Sequence, residues 1–227
     1  MAIVLESSPS LVSTTNGSSL TTASFTAPDN SVVVACSIIG QIPTISNSDA
    51  ALTWTSRKVM TDDRASVWTA PVVAERTGLT VTAVAQAGGS FQGALSVYVF
   101  TGVELSAPVG ADGNGTSTTN NVTVNGYSST KDGSRGLAIA RDTSAGGTPT
   151  STDDERAWAG LLNIAAMSIT KSANTATSGT TVTFNLDAAG AAAAAWTWIA
   201  VELVPTLPFQ RPRISTQPAA VHRASSW

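Results

Sequence analysis

The chain has 227 residues, a formal net charge of −3 and only 12% charged residues, against 42% hydrophobic ones. This length suits one large all-β domain or two small ones, and the scarcity of charge leaves Ser, Thr, Asn and Gly to cover the surface. The composition argues against a nucleic-acid-binding protein, which needs clustered Lys and Arg, and the single Cys36 excludes an intramolecular disulfide.

The N-terminal stretch MAIVLESSPS lacks the basic region and the long apolar region of a signal peptide. No run of the sequence approaches the roughly 20 apolar residues that cross a membrane. We therefore expect no membrane partner. We also expect that the protein is made in a host cytoplasm, although its polar surface is typical of exposed proteins. Virion proteins that are released by lysis fit this combination.

Short β-type runs separated by turn residues recur along the chain. In several of them, such as Leu79–Val84 and Thr181–Leu186, apolar and polar residues alternate as in an antiparallel sheet with one buried face. Clusters rich in Gly, Asp and Asn, such as 112–115, predict the turns. In chain order, strands are predicted near residues 3–6, 19–27, 31–39, 51–60, 65–74, 79–86, 91–102, 121–127, 135–142, 165–172, 180–186 and 196–204.

This spacing predicts an all-β fold, an antiparallel β-sandwich that is jelly-roll-like, over residues 1–205. One segment is less clear: Asp153–Ala166 favours a short helix with acidic residues at its start, and a strand is the alternative. The likeness of SFTAP (24–28) to VWTAP (67–71) indicates similar strand solutions rather than a repeat, since no fixed period is seen.

The end of the predicted domain, AAAAAWTWIAVELVP (191–205), combines an alanine run with a β-type pattern. Both faces of Trp196–Leu203 are largely apolar, which predicts a last strand buried on both sides. Glu202 is the odd residue in it, and we expect it to reach the rim or to have a partner. Pro205 ends the strand because it cannot donate to the ladder.

Residues 206–227 differ in kind, because they are rich in Pro and Arg and lack strand alternation. We expect an extended C-terminal arm that lies along a partner subunit, with docking on its own domain as the alternative. The residues expected to bind the partner are Phe209, Arg211, Arg213, Ile214, Arg223 and Trp227.

No pattern in the sequence predicts catalysis or a cofactor. The only histidine, His222, lies in the arm, which argues against Ser-His-Asp catalysis and against zinc sites. The acidic clusters Asp62-Asp63 and 153–155 are interpreted as solvated turn residues rather than as a glycosidase pair or a calcium site. Of the six tryptophans, Trp54, Trp68 and Trp198 are expected to pack in the core rather than to form a sugar platform.

A resemblance to known proteins lies in residues 97–142, 149–158 and 195–205 and in the segments SFTAPDNSVVVA and LTWTSRKV. These stretches resemble virion structural proteins of actinobacterial tailed phages and related prophages. The likeness covers most of residues 20–205 and leaves the arm outside. It implies a β-sandwich that assembles on a tail or capsid surface, and it supplies no active-site residues.

We therefore expect a non-enzymatic structural protein of a tailed-phage virion, either a minor tail protein or a capsid decoration protein. Its expected partners are other virion proteins, capsid or tail subunits, and further copies of itself. A carbohydrate-binding module for adhesion to a host surface glycan is the alternative.

Overall fold

The computed structural model describes residues 2–6, 8–40, 42–60, 62, 64–85, 89–119, 121–143, 155–161, 164–187 and 195–207. These residues form eighteen strands and no helix, and every strand pairing is antiparallel, which confirms the all-β prediction. No helix that could cross a membrane occurs among them. The C-terminal arm lies outside the described residues apart from Thr206 and Leu207.

The first half of the chain, up to Val103, contributes eleven of the described strands. Their bounds are β1 Val4–Leu5, β2 Val12–Gly17, β3 Ser19–Thr21, β4 Phe25–Ala27, β5 Ser31–Ile38, β6 Pro43–Asn47, β7 Thr55–Val59, β8 Ala65–Val72, β9 Arg76–Leu79, β10 Val81–Ala85 and β11 Phe91–Thr101. An inner sheet has the order β11-β5-β8-β7, and both β1 and β2 pair with the other edge of β11. An outer layer consists of the sheet β3-β10-β6 and the pair β4-β9.

The second half contributes seven of the described strands. Their bounds are β12 Val109–Ser117, β13 Asn121–Ser128, β14 Arg135–Asp142, β15 Glu155–Gly160, β16 Ala165–Thr170, β17 Thr181–Asp187 and β18 Trp196–Leu203. Its inner sheet has the order β12-β18-β14-β16-β15, and its outer layer is the pair β13-β17. The jelly-roll-like form is a more specific expectation than an antiparallel β-sandwich, since a complete jelly roll has eight strands. The described strands do not confirm that form.

Four β layers are stacked, because each inner sheet is apolar on both faces. On β5, Val34 and Cys36 belong to a core shared with the second half, whereas Val33 and Ala35 face the first outer layer. On β14, the shared core takes Leu137 and Ile139, and the alternate residues face β13 and β17. The two inner sheets therefore pack on each other, which explains why β5 and β14 are buried at every position.

The two halves have the same strand order. In the inner sheets, β2-β11-β5-β8-β7 corresponds to β12-β18-β14-β16-β15, and in the outer layers β3-β10 corresponds to β13-β17. Among the described residues, β1, β4, β6 and β9 have no counterpart in the second half. The chain is therefore a tandem pair of related sandwiches, a duplication that the sequence patterns do not predict.

Matched residues occupy equivalent positions in the halves. Asn30 and Gly133, 103 residues apart, both have positive φ, and both stand in an Asp-Xaa-Ser turn before the central strand. Gly78 and Gly179, 101 residues apart, also both have positive φ and precede a Thr-Val-Thr segment. The SFTAP and VWTAP segments lie on the non-equivalent strands β4 and β8, so that echo is not the duplication.

Two sequence-based expectations are wrong. The described part of 153–166 forms β15 and the start of β16, so the strand alternative is correct and the helix is wrong, because pairing of β15 with β16 and of β16 with β14 overrides local helix propensity. The glycine-rich residues 112–115 lie within β12, where Gly113 has no room for a Cβ beside the backbone of Gly126. The N-terminal strand β1 pairs with β11 of the same chain.

The last strand behaves as its pattern predicts. β18 lies between β12 and β14, and Trp196, Ile199 and Val201 are at most 1% exposed. Pro205 stands beyond its end in an isolated bridge to Val103. Residues 188–194, which hold most of the alanine run, lie outside the described residues.

Candidate functional site

An open groove of about 540 Å³ runs along the outer layer of the first half. It lies between β6, the segment that joins β6 to β7, and the half-buried ring of Trp68 on β8. The residues that line it are Ile42, Pro43, Thr44, Ile45, Ser46, Asn47, Asp49, Ala50, Leu52, Thr53, Trp54 and Trp68.

Two tryptophans line this groove because the inner sheet extends beyond the outer one. The outer sheet ends at β6, whereas the inner sheet continues to β8 and β7. Trp68 points to the same side as the core residues Ala70 and Val72, and its Nε1 donates to Ser66 Oγ at 2.8 Å. Trp54 comes just before β7 and packs against the same core. Both rings are expected in the core from the sequence. In the structure they are only half-buried and form an apolar lining at the margin of the core.

The segment after β6 is held by its own polar side chains. Asp49 N donates to Asn47 Oδ1 at 2.8 Å, and Ala51 N donates to Asp49 Oδ1 at 2.9 Å. The other carboxylate oxygen of Asp49 lies 3.1 Å from Arg76 Nε, in a half-exposed ion pair. The charge of Asp49 is thus balanced within the protein, and the groove offers apolar contact, main-chain groups and neutral polar residues.

The sequence-predicted partner residues are not placed by the structure. Phe209, Arg211, Arg213, Ile214, Arg223 and Trp227 all lie outside the described residues, as do Asp63 and residues 153–154. In the described part of the chain, no three His, Cys, Asp or Glu residues are grouped so as to hold a metal ion. Trp198 lies in the core as expected, and Cys36 is buried among apolar residues, where burial raises the pKa of its thiol.

Glu202 is a buried carboxylate with hydrogen-bond donors on several sides. Thr130 donates from N at 2.8 Å and from Oγ1 at 2.6 Å, Ala111 N donates at 2.9 Å, and Lys131 N donates at 3.2 Å. Burial raises the pKa of Glu202, but hydrogen bonds, foremost those from Thr130 and Ala111, lower it by more, so the net pKa lies below its usual value. Glu202 therefore connects β12 and the residues before β14 to the last strand. The sequence predicts that Glu202 reaches the rim or has a partner, and the structure shows the hydrogen-bond partners.

Comparison of the chain with protein-family models, with curated proteins and with solved structures finds no match.

Proposed function

We propose that the protein is a non-enzymatic structural component of a tailed-phage virion, attached to the particle surface as a minor tail protein or a capsid decoration protein. The observation that carries the proposal is the open groove beside β6, which is the outermost strand of its sheet. An exposed strand edge next to apolar rings suits attachment by extended polypeptide, because main-chain hydrogen bonds then provide affinity without a deep pocket. The sequence resemblance to phage virion proteins supports the same role.

The stacked architecture suits a protein that stabilises or decorates a particle. Both inner sheets are buried on both faces, and their shared core joins the halves into one body. The carboxylates of Glu202 and Asp49 are both occupied by hydrogen bonds or an ion pair inside the protein. These observations favour a structural role over hydrolytic chemistry, which requires a carboxyl group free to exchange protons with substrate.

The C-terminal arm is the proposed attachment element, through Phe209, Arg211, Arg213, Ile214, Arg223 and Trp227. Residues 206–227 hold three of the twelve basic residues and none of the fifteen acidic ones, so they carry +3 and the remaining residues carry −6. An arm and a body of opposite charge attract each other, which favours binding of the arm to neighbouring subunits and assembly of several copies.

A second candidate function is binding of a host surface glycan, and one observation favours it. Trp54 and Trp68 line the same open groove, together with hydroxyl and amide side chains of Thr44, Ser46 and Asn47. Aromatic rings beside such groups offer a sugar both an apolar platform and hydrogen bonds.

Binding to particles that lack the protein tests the proposal. The full chain would be compared with a triple variant, Phe209→Ala, Ile214→Ala and Trp227→Ala, and with Val73→Ala as the matched control, because Val73 is a 73% exposed apolar residue outside the arm. Bound protein would be counted by gel densitometry after sedimentation of the particles.

We expect the full chain and Val73→Ala to bind alike, and the arm variant to bind about tenfold more weakly. Absence of binding by the full chain would overturn the virion role. Binding that resists the arm substitutions but is lost in Trp68→Ala and is competed by oligosaccharides would favour the glycan function instead.

A further inference from the structure

The edge of β6 that faces away from β10 carries main-chain groups with no strand beside them in the described part of the chain. Ser48 N donates to Thr80 O, so Ser48 and Thr80 form a hydrogen-bonded pair. In antiparallel pairing such pairs alternate, so Thr44 and Ser46 bond to β10, whereas Ile45 and Asn47 direct their N–H and C=O groups to the open side. Pro43 is in the same phase as Ile45, where its missing N–H costs nothing to the sheet.

This open edge is combined with a hydrophobic lining. Trp54 and Trp68 lie in the groove beside β6, on the side to which Ile45 and Asn47 direct their main-chain groups. A polypeptide strand placed there would pair with β6 and rest alternate side chains on the indole rings. The geometry is that of strand addition, in which backbone pairing supplies affinity and the lining selects side chains.

One segment of the chain outside the described residues matches this edge in length and pattern. Residues 213–217, Arg-Ile-Ser-Thr-Gln, are five residues between Pro212 and Pro218, and β6 is also five residues long. The two prolines would end the pairing on either side. Ile214 and Thr216 are β-branched and would lie on one face of an added strand, which suits contact with the tryptophan lining.

We propose that residues 213–217 of a neighbouring copy add to the open edge of β6, with Ile214 packed on Trp54 and Trp68. The proposal deepens and rests on the proposed function, because it names the site at which the arm joins one copy to the next. The +3 charge of the arm and the −6 charge of the remaining residues favour the encounter. The donor is a second copy, since an arm folded onto its own groove would leave nothing to attach to a neighbour.

The test measures hydrogen exchange at single amides and oligomeric state on the full chain. Exchange at Ile45 and Asn47 would be followed over a series of chain concentrations, and sedimentation velocity would give the association state. A synthetic peptide of residues 208–227 would then be added in excess, beside a control peptide with Ser215→Pro, which cannot pair along this stretch.

Two chain variants isolate the main-chain contact. Ile45→Pro removes the N–H that faces the open edge while the bonds of Thr44 and Ser46 to β10 remain. Ile45→Ala is the matched control, because it also loses the buried side chain but keeps the N–H. Both variants would be checked for folding by circular dichroism before comparison.

We expect exchange at Ile45 and Asn47 to slow about tenfold as chain concentration rises and association begins. The 208–227 peptide should dissociate the oligomer yet keep these amides protected, whereas the Ser215→Pro peptide should do neither. Ile45→Ala should still associate, and Ile45→Pro should not.

Other results would overturn the proposal. Protection that does not depend on concentration would place the arm on its own chain, and association without protection of Ile45 would place the contact elsewhere. Perturbation of the tryptophans by cellohexaose but not by the peptide would make the groove a glycan site. Binding to particles is measured separately from strand addition. If the chain binds particles but no strand is added to β6, only this inference is overturned. If strand addition occurs but the chain does not bind particles, the virion role is overturned.

Discussion

The two halves of the molecule share a strand order but differ in their outer layers. The first half covers its inner sheet with β3, β10 and β6 and with the pair β4-β9, whereas the described part of the second half uses only β13 and β17. The groove beside β6 therefore exists on a strand without a described counterpart. A shared scaffold holds the shape of the protein, and the added strand gives one half an open edge for binding.

The halves also differ at one buried position of the last strand of each inner sheet. Val99 pairs with Val33 on β5, and Glu202 pairs with Gly136 on β14 in the equivalent register. Both side chains are fully buried, but Val99 joins an apolar core while Glu202 accepts hydrogen bonds from Thr130, Ala111 and Lys131. The same backbone thus tolerates a carboxylate only where the chain supplies donors.

The largest expected effect comes from giving the second half the residue of the first. Glu202→Val would leave the N–H groups of Ala111 and Thr130 without their charged acceptor, and we expect a loss of about 4 kcal/mol in the free energy of unfolding. Urea denaturation measures it. The reciprocal Val99→Glu, which buries a carboxylate without donors, should also destabilise strongly; a loss below about 0.5 kcal/mol in either variant would mean that the two positions are interchangeable.

A smaller effect is expected from protonation of Glu202, because one oxygen remains an acceptor. Its pKa is lower in the folded protein than in the unfolded chain, so its contribution to stability is fully present above the unfolded pKa of about 4.3. The contribution is lost as the pH falls through the folded pKa. Urea denaturation between neutral pH and pH 3 should therefore show a wild-type advantage over Glu202→Gln that shrinks in acid, whereas an advantage that grows in acid would contradict the assigned direction.

Another exchange between the halves concerns the equivalent strands β2 and β12, where Val12 corresponds to Gly115. A Cβ on Gly115 would come within 2.7 Å of the ring of the buried Trp198, whereas Val12 stands opposite Leu95. We expect Gly115→Val to cost about 2 kcal/mol in thermal or urea unfolding.

The control for this overlap is the double variant Gly115→Val with Trp198→Leu, which reproduces the pair of the first half. The two changes should be less destabilising together than the sum of the single changes by about 1 kcal/mol. Additive losses in the free energy of unfolding would show that the ring of Trp198 does not require a glycine at position 115.

The sequence predicts the strands of this fold better than their arrangement. The largely apolar run Trp196–Leu203 predicts a strand buried on both faces, as the structure confirms. The duplication escapes notice because equivalent positions share backbone geometry more than residue type, as Asn30 and Gly133 do. What they share is a left-handed turn, which several residue types satisfy.

The errors have local causes. Glycines in β12 resemble a turn, but Gly113 and Gly115 are there because β13 and Trp198 approach closely, which only the fold reveals. The groove joins residues 42–54 to Trp68 of another sheet, so no single stretch of sequence displays it.

The smallest expected effect concerns the core shared by the halves. Tyr98 Oη lies 2.7 Å from Ser168 Oγ, which donates to Ser96 Oγ at 2.8 Å, and this chain of hydroxyls crosses between the inner sheets. The equivalent positions are apolar, with Val201 for Tyr98, Val67 for Ser168 and Ile199 for Ser96, and all three lie in the same core.

Removal of the phenolic hydroxyl by Tyr98→Phe should cost about 1 kcal/mol in urea unfolding, because Ser168 keeps its bond to Ser96. The triple variant Tyr98→Phe with Ser168→Val and Ser96→Ala removes all three hydroxyls, and Val is the residue that the position equivalent to Ser168 already has. Since loss of every partner costs less than loss of one, the triple variant should be no less stable than Ser168→Val alone, which leaves the hydroxyls of Tyr98 and Ser96 without this partner. A triple variant that loses several kcal/mol more would mean that the hydroxyls, and not the packing that the halves have in common, determine how the two inner sheets meet.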